Sequence, residues 1–248
     1  MHLTDTTLAS EIIEQLPRSS RRAHLRQGLA LALGGALSTA GFSNAYAQVA
    51  GYPERPIRMF VAFPAGGATD LLARMLGTSM GGILKQSVIV ENKPGAGGMI
   101  GLEAGAKSTP DGYNLFLCAL TNQAIAGHLY PKATSDITRD FEPIALIANG
   151  AHVLNVHPSV PARNMTEFVA WLKAGDGKVN YASQGNATLS HLEAELLLQT
   201  LGVKAVHVPY RGSAQALPDL IAGQVSFMFD SVAASQSFVK NGQLRALA

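Results

Sequence analysis

Apolar residues along the chain fall into short solid blocks, separated by longer stretches in which they recur every three or four positions. The blocks at 57–62, 88–90, 113–119, 144–147, 153–156, 179–182, 205–208, 227–230 and 244–248 are short enough to predict strands. The periodic stretches at 70–84, 99–107, 166–174, 191–201, 214–222 and 232–240 predict helices, with Asn164 and Ser231 placed to cap two of them. Strands alternating with helices of about ten residues predict α/β architecture with parallel sheets. The pattern restarts after Asn149-Gly150, so two sheets are expected: lobe one over 48–149 and lobe two over 150–243. Residues 144–156 would cross between them, and 244–248 would begin a return strand to lobe one. On that plan the C-terminal part of lobe one is missing, and exposed apolar surface is expected there.

Residues 1–47 follow a different pattern. An arginine-bearing polar stretch leads into a short apolar run at 29–37, and Ala45-Tyr46-Ala47 supplies the small residues of a signal-peptidase site. The apolar run is too short for a permanent span. Ser20-Arg21-Arg22-Ala23-His24-Leu25-Arg26 is similar to a twin-arginine signal, with the general secretory route an equal alternative. The expected location is the periplasm, with cleavage near Ala47. No cysteine follows the apolar run, so no lipid anchor is expected there.

Charge is informative once that segment is set aside. The whole chain carries 19 basic and 17 acidic residues. Residues 1–47 hold four of the former and three of the latter, leaving a net charge of +1 and no basic block suited to nucleic acid. The single cysteine, Cys118, lies in an apolar strand and reads as a small core residue; it excludes an internal disulfide.

Candidate chemistry sits where strands run into helices. Phe63-Pro64-Ala65-Gly66-Gly67-Ala68-Thr69-Asp70 links the first strand to its helix. In open α/β sheets ligands bind in such loops, and the first N–H groups of a helix have no internal partner and favour anions. Ser183-Gln184-Gly185-Asn186-Ala187-Thr188-Leu189-Ser190-His191 repeats the arrangement in lobe two. Two such loops closing on one another would bring two helix N-termini onto one anion, with no arginine or lysine required. Asp230 ends a strand of lobe two, where it would accept from a ligand amine or hydroxyl, or else cap the next helix behind Ser231.

Other patterns fail on spacing. In Gly95-Ala96-Gly97-Gly98-Met99-Ile100-Gly101 the last glycine comes one residue late for a dinucleotide fingerprint, so tight helix–sheet packing is expected instead. Tyr181-Ala182-Ser183-Gln184-Gly185 lacks the first glycine of a nucleophile elbow, leaving Ser183, His191 and Asp230 as the only candidate hydrolase triad. His128, His152, His157 and His207 lack metal-ligand spacing and read as surface or loop residues.

The chain from about Tyr52 onward resembles the Bug-type periplasmic receptors of tripartite tricarboxylate transporters. The resemblance rests on Tyr52-Pro53-Glu54-Arg55-Pro56-Ile57, the 63–70 loop, and Val90-Glu91-Asn92-Lys93-Pro94-Gly95. It continues through Pro110-Asp111-Gly112-Tyr113, Asp140-Phe141-Glu142-Pro143, Ser190-His191-Leu192, His207-Val208-Pro209-Tyr210-Arg211-Gly212 and Met228-Phe229-Asp230. It implies a two-lobed periplasmic-binding-protein fold of type II and a carboxylate ligand, held by backbone groups and bridging waters. It also implies a monomer, a membrane permease as partner, and neither catalysis, cofactor nor metal. The implied ligand contacts are Ala65, Gly66, Gly67, Asp70, Thr121, Asn122, Ser183, Gly185, Asn186, Thr188, His191 and Asp230. Ala187, Ala126-Gly127-His128 and Ala62 depart from the family pattern, which usually has glycine at the first, an Asn-Pro stretch at the second and proline at the third. Beside transport, two alternatives stand: the same receptor presenting its ligand to a sensor protein, and a periplasmic hydrolase using Ser183 and His191.

Overall fold

The structure, a computed structural model, describes residues 51–130, 133–175 and 177–248. The twin-arginine stretch and Ala45-Tyr46-Ala47 lie outside the described residues. Pro53–Ala248 forms one compact unit built on two sheets.

The first sheet has three parallel strands, with β1 (Ile57–Val61) between β2 (Val88–Asn92) and β3 (Asn114–Leu117). The pleat sends alternate side chains to opposite faces. Met59 and Val61 of β1, with Leu115 and Leu117 of β3, meet Ala73, Leu76 and Met80 of α1 (Ala68–Leu84). Phe116 faces the other way, onto Met99 and Leu102 of α2 (Met99–Ala106) and Ala126 of α3 (Leu120–Leu129). The expected tight packing of the glycine-rich turn is present. A Cβ on Gly101 would lie 2.5 Å from Ala62 Cα, so only glycine lets α2 sit on the sheet.

The second sheet has five strands in the order β6 (Val206–Pro209), β5 (Asn180–Ser183), β7 (Phe227–Ser231), β4 (His152–Val156), β8 (Arg245–Ala246). Phe168 and Leu172 of α4 (Met165–Ala174) and Leu198 of α5 (Leu189–Leu201) cover Tyr181 and Phe227 on one face. Leu217 and Leu220 of α6 (Ser213–Ile221), with Phe238 of α7 (Val232–Lys240), cover Ala182 and Met228 on the other. Phe168 meets Phe227 edge-on at 5.2 Å, a favoured aromatic geometry.

Several expectations change. The second sheet is mixed rather than parallel: β4 runs antiparallel to both β7 and β8. β4 begins beside the end at which β7 finishes, His152 pairing with Ser231. Residues 244–248, expected to turn back toward lobe one, supply the edge strand of this second sheet. Residues 144–147 form no strand, for no neighbour offers them a ladder; Ile144 is 81% and Leu146 75% exposed. The helix α3 was not anticipated. Asn164 caps α4, accepting from Glu167 N–H at 2.9 Å while Glu167 accepts from Arg163 N–H at 2.7 Å. Ser231 holds the N-cap position of α7, but its hydroxyl makes no cap bond and is buried without a partner.

The Gly101 contact carries a prediction. Gly101→Ala pushes α2 off Ala62 and is expected to cost about 1–3 kcal/mol, an overpacking penalty, measured as a lowered urea midpoint with an unchanged slope.

Candidate functional site

The loop after β1 is shaped by a buried carboxylate. Asp70, 2% exposed in the first turn of α1, accepts from Gly66 N–H at 2.9 Å, from Asn92 Nδ2 at 2.9 Å and from Arg74 at 3.0 Å. Asn92 also donates to the Phe63 carbonyl at 2.9 Å, pinning the other end of the loop. Burial pushes the Asp70 carboxyl up, but Arg74, Gly66 and Asn92 outweigh it and hold it below the usual carboxylate range. Gly66 takes a left-handed φ of 83°, and Ala65 and Gly66 are exposed. The cap residue of α1, Gly67, offers no side chain, so the first N–H groups of the helix face outward uncapped.

The loop after β5 is folded on its own hydroxyls. Ser183 is fully buried, with Oγ 2.7 Å from His207 Nε2 and accepting from Gly185 N–H at 3.1 Å. Thr188, the cap residue of α5, donates its hydroxyl back to the Gly185 carbonyl at 2.7 Å and so does not cap the helix. Gly185 has φ 129°, and a Cβ there would lie 2.9 Å from the Tyr210 carbonyl. Ala187, where the family usually has glycine, takes the left-handed conformation all the same, at φ 58°. Its N–H points to His191 Nδ1 at 3.4 Å. Behind the loop, His191 stacks on His207 at 4.1 Å and His207 on Tyr181 at 4.8 Å. Burial lowers the pKa of both imidazoles, and the neighbouring His191 adds to the effect on His207, pushed down to about 4. His207 and His152 are thus strand residues with partners, not loop residues; His152 Nδ1 lies 2.7 Å from Glu193.

Beneath this loop lies Asp230. Its Oδ1 accepts from Gln184 Nε2 at 2.6 Å, from Ser213 Oγ at 2.8 Å and from Ser231 N–H at 2.7 Å, while Oδ2 has no partner. Burial raises its pKa above the ordinary carboxylate value, against those three hydrogen bonds. Ser213 opens α6, a third helix whose cap residue, Gly212, has no side chain.

The two sheets meet at these loops. A Cβ on Gly66 would lie 3.8 Å from Ala214 Cβ, and one on Gly212 would lie 2.8 Å from Pro64 Cδ. Asn122 Oδ1, from the first turn of α3, accepts from Leu189 N–H at the head of α5 at 2.7 Å. Tyr130 donates its hydroxyl to the Asn186 carbonyl at 3.3 Å, and that same oxygen would lie 3.0 Å from a Cβ on Gly97. A path of neighbours runs from Gly66 to Gly185 through Ala214, Ser213 and Gln184, with Gln184 Nε2 3.1 Å from Ser213 Oγ. A hollow of about 660 Å³, lined by Arg74, Gly77, Lys85 and Ser87 among others, lies between α1 and the edge strand β2.

Of the expected contacts, Gly66, Asn122 and Asn186 have neighbours in the other lobe; Ala65 and Thr121 are exposed, and Gly67 and Gly185 are buried within their own loops. Asp70, Ser183, Thr188 and Asp230 are turned inward as braces, and His191 stands half-buried behind the loop. Ser183, His191 and Asp230 do not assemble a triad. Ser183 pairs with His207, and Asp230 with Gln184 and Ser213. The expectations missed Gln184, Tyr130, Gly97 and the turn at Gly212-Ser213. The last repeats the signal used for the other two loops, a glycine and a hydroxyl at the head of a helix.

Known proteins share this fold. The sequence profile described as the tripartite tricarboxylate transporter family receptor matches residues 72–248. Protein BugT of Bordetella pertussis is 36% identical over 198 residues, which are 79% of this chain and 61% of that protein. Two solved structures superpose with a TM-score of 0.74 at 30% identity over 79% of this chain: R. palustris Rpa4515 with adipate, covered to 66%, and MatC from Rhodopseudomonas palustris with bound malate, covered to 67%. The chain spans about three-fifths of the length of the curated relatives it matches.

The two buried carboxylates predict opposite pH behaviour. Asp70, held low, stabilises the fold above the ordinary carboxylate range, and that contribution is lost as pH falls through its lowered pKa. Asp70→Asn is expected to lose about 1–3 kcal/mol at pH 7, the gap to the parent narrowing below about pH 4. Asp230, held high, contributes most when protonated and loses that contribution as pH rises through its raised pKa. Asp230→Asn should therefore gain on the parent as pH rises from about 4 to 7. Urea titrations across that range check both signs.

Proposed function

The chain belongs to the tripartite tricarboxylate transporter receptor family, a family of solute-binding receptors and not of enzymes, and from that premise we propose that it captures a small carboxylate in the periplasm for delivery to a membrane permease. The observation that carries the reading is the meeting of uncapped helix heads from opposite lobes. The heads of α1 and α6, neither with a side-chain cap, abut where Pro64 and Gly66 meet Gly212 and Ala214, and the head of α5 opens on the same seam. Each helix head carries roughly half a positive charge and unpaired N–H groups, a setting for a carboxylate that needs no cationic side chain.

The proposed grip is through backbone. N–H groups at the head of α1, beginning with Ala68, on one side and those of Asn186 and the head of α5 on the other hold the two carboxylate oxygens. The glycines admit the ligand close to the main chain. Asp70 and Asp230 act from behind, fixing the loops, and do not themselves touch the anion; a carboxylate facing a carboxylate would repel it. Four or five charge-assisted hydrogen bonds of about 1.5–3 kcal/mol each, less the costs of immobilisation and closure, leave about −8 kcal/mol, or micromolar affinity. Backbone donors read the carboxylate and say little about what it is attached to, so the rest of the ligand is selected by the walls of the seam.

Isothermal titration of the 248-residue chain with L-malate, adipate and citrate tests the reading. Binding of at least one acid with a dissociation constant of about 1–100 μM is expected, together with loss of at least tenfold in affinity on Gly185→Ala, whose Cβ collides with the Tyr210 carbonyl. Binding of the corresponding neutral amides with equal strength, or of none of the acids, would overturn it.

A further inference from the structure

The head of α5 is occupied from the other lobe. Thr188, the residue placed to cap it, spends its hydroxyl on the Gly185 carbonyl instead. The Leu189 N–H is satisfied by Asn122 Oδ1 at 2.7 Å, across the seam and 67 residues away in the chain. Asn122 is only 7% exposed, so water does not compete for this bond. Its oxygen is a neutral counterpart of a carboxylate oxygen: an sp² acceptor at the positive end of a helix. Two further contacts lie alongside, the Tyr130 hydroxyl on the Asn186 carbonyl and the bare face of Gly97 against the same oxygen.

We propose that Asn122 is an interlobe latch: it holds the ligand-free lobes shut by placing its amide oxygen on the α5 donor that the ligand's carboxylate takes on binding. The latch itself stands on the observed contacts. Its competition with the ligand rests on the carboxylate reading above. In this scheme the ligand does not meet an open, empty cleft. It displaces a resident acceptor, and the latched population subtracts from the apparent affinity. A weak neutral acceptor suits that purpose, because an ionised oxygen from the ligand makes a stronger bond to the same N–H.

The test uses the full 248-residue chain in a Cys118→Ala background, with spin labels on cysteines at the exposed Lys107 and Lys173, one per lobe. Without ligand, the parent is expected to give one dominant interlabel distance. Asn122→Ala, which removes the acceptor, should add a second, separated population. Leu189→Pro removes the donor from the other side and keeps Asn122. Proline is accepted at the first position of a helix, so this variant is expected to fold and to give the same second population. Asn122→Asp, which keeps an acceptor there and charges it, should retain the single distance. Distributions for Asn122→Ala and Leu189→Pro that match the parent would overturn the latch. L-malate titration then reads the competition: Asn122→Ala should tighten binding by about three- to tenfold, as the latched fraction disappears. Weaker malate binding in that variant would overturn the competition and make Asn122 a direct ligand contact. A chain that binds no malate in any form, yet opens on Asn122→Ala, keeps the latch and rejects the carboxylate reading.

Discussion

Each loop of the seam is built over a carboxylate that has been taken out of water. Asp230, near the end of β7, draws donors from two separate segments, the turn after β5 and the head of α6, and from its own neighbour Ser231, onto a single oxygen. Those two segments follow different strands and share no local sequence; this acceptor, together with the 3.1 Å bond from Gln184 Nε2 to Ser213 Oγ, joins them. Asp70 does the equivalent in the first lobe, tying its own loop to the end of β2 through Asn92. The two differ in how the charge is tolerated. Asp70 has the guanidinium of Arg74 beside it; Asp230 has only neutral donors in direct contact, and burial therefore dominates. One brace is an ion pair open to solvent on its cationic side, and the other is a neutral-leaning polar knot.

Fixed loops allow close approach, and close approach is where glycine matters. At Gly97 and Gly212 a methyl group would collide with the opposite lobe, and at Gly185 with the neighbouring turn of its own lobe. At these glycines the lobes can thus approach closely, with Tyr130 and Asn122 the side chains that bond across the junction. Ala187 is the exception, a left-handed residue that carries a Cβ into this crowded loop, at a strain of about 1–2 kcal/mol. The loop tolerates it because Thr188, Ser183 and His191 hold the backbone on every side.

Much of this was legible from local pattern. The strands and helices of the second lobe follow the periodicity closely, and at both candidate loops a glycine-bearing turn joins a strand to a helix, as expected. What was not legible depended on partners distant in sequence. The apolar block at 144–147 has the composition of a strand, but a strand needs a neighbour and none is supplied. The direction of β4 depends on where the chain enters the sheet, which no local feature encodes. α3 was missed because Gly127 and the polar Thr121-Asn122-Gln123 blur its amphipathic face, and it packs on the glycine turn at 96–98 and on α2. The inward roles of Ser183, Thr188 and Asp230 were hidden for a similar reason. A hydroxyl or carboxylate at a strand end reads the same whether it faces a ligand or bonds the backbone and side chains of its own lobe.

The column of rings from Phe227 through Tyr181 and His207 to His191 joins the hydrophobic core to the back of the second loop. Stacked rings at 4 to 5 Å displace one another's proton resonances through their induced magnetic fields, and those displacements fall off steeply with tilt and separation. The imidazole protons of His207, sandwiched between two rings, are consequently a built-in magnetic gauge. Any rearrangement of the loop that moves His191 registers at His207 without a label or a mutation.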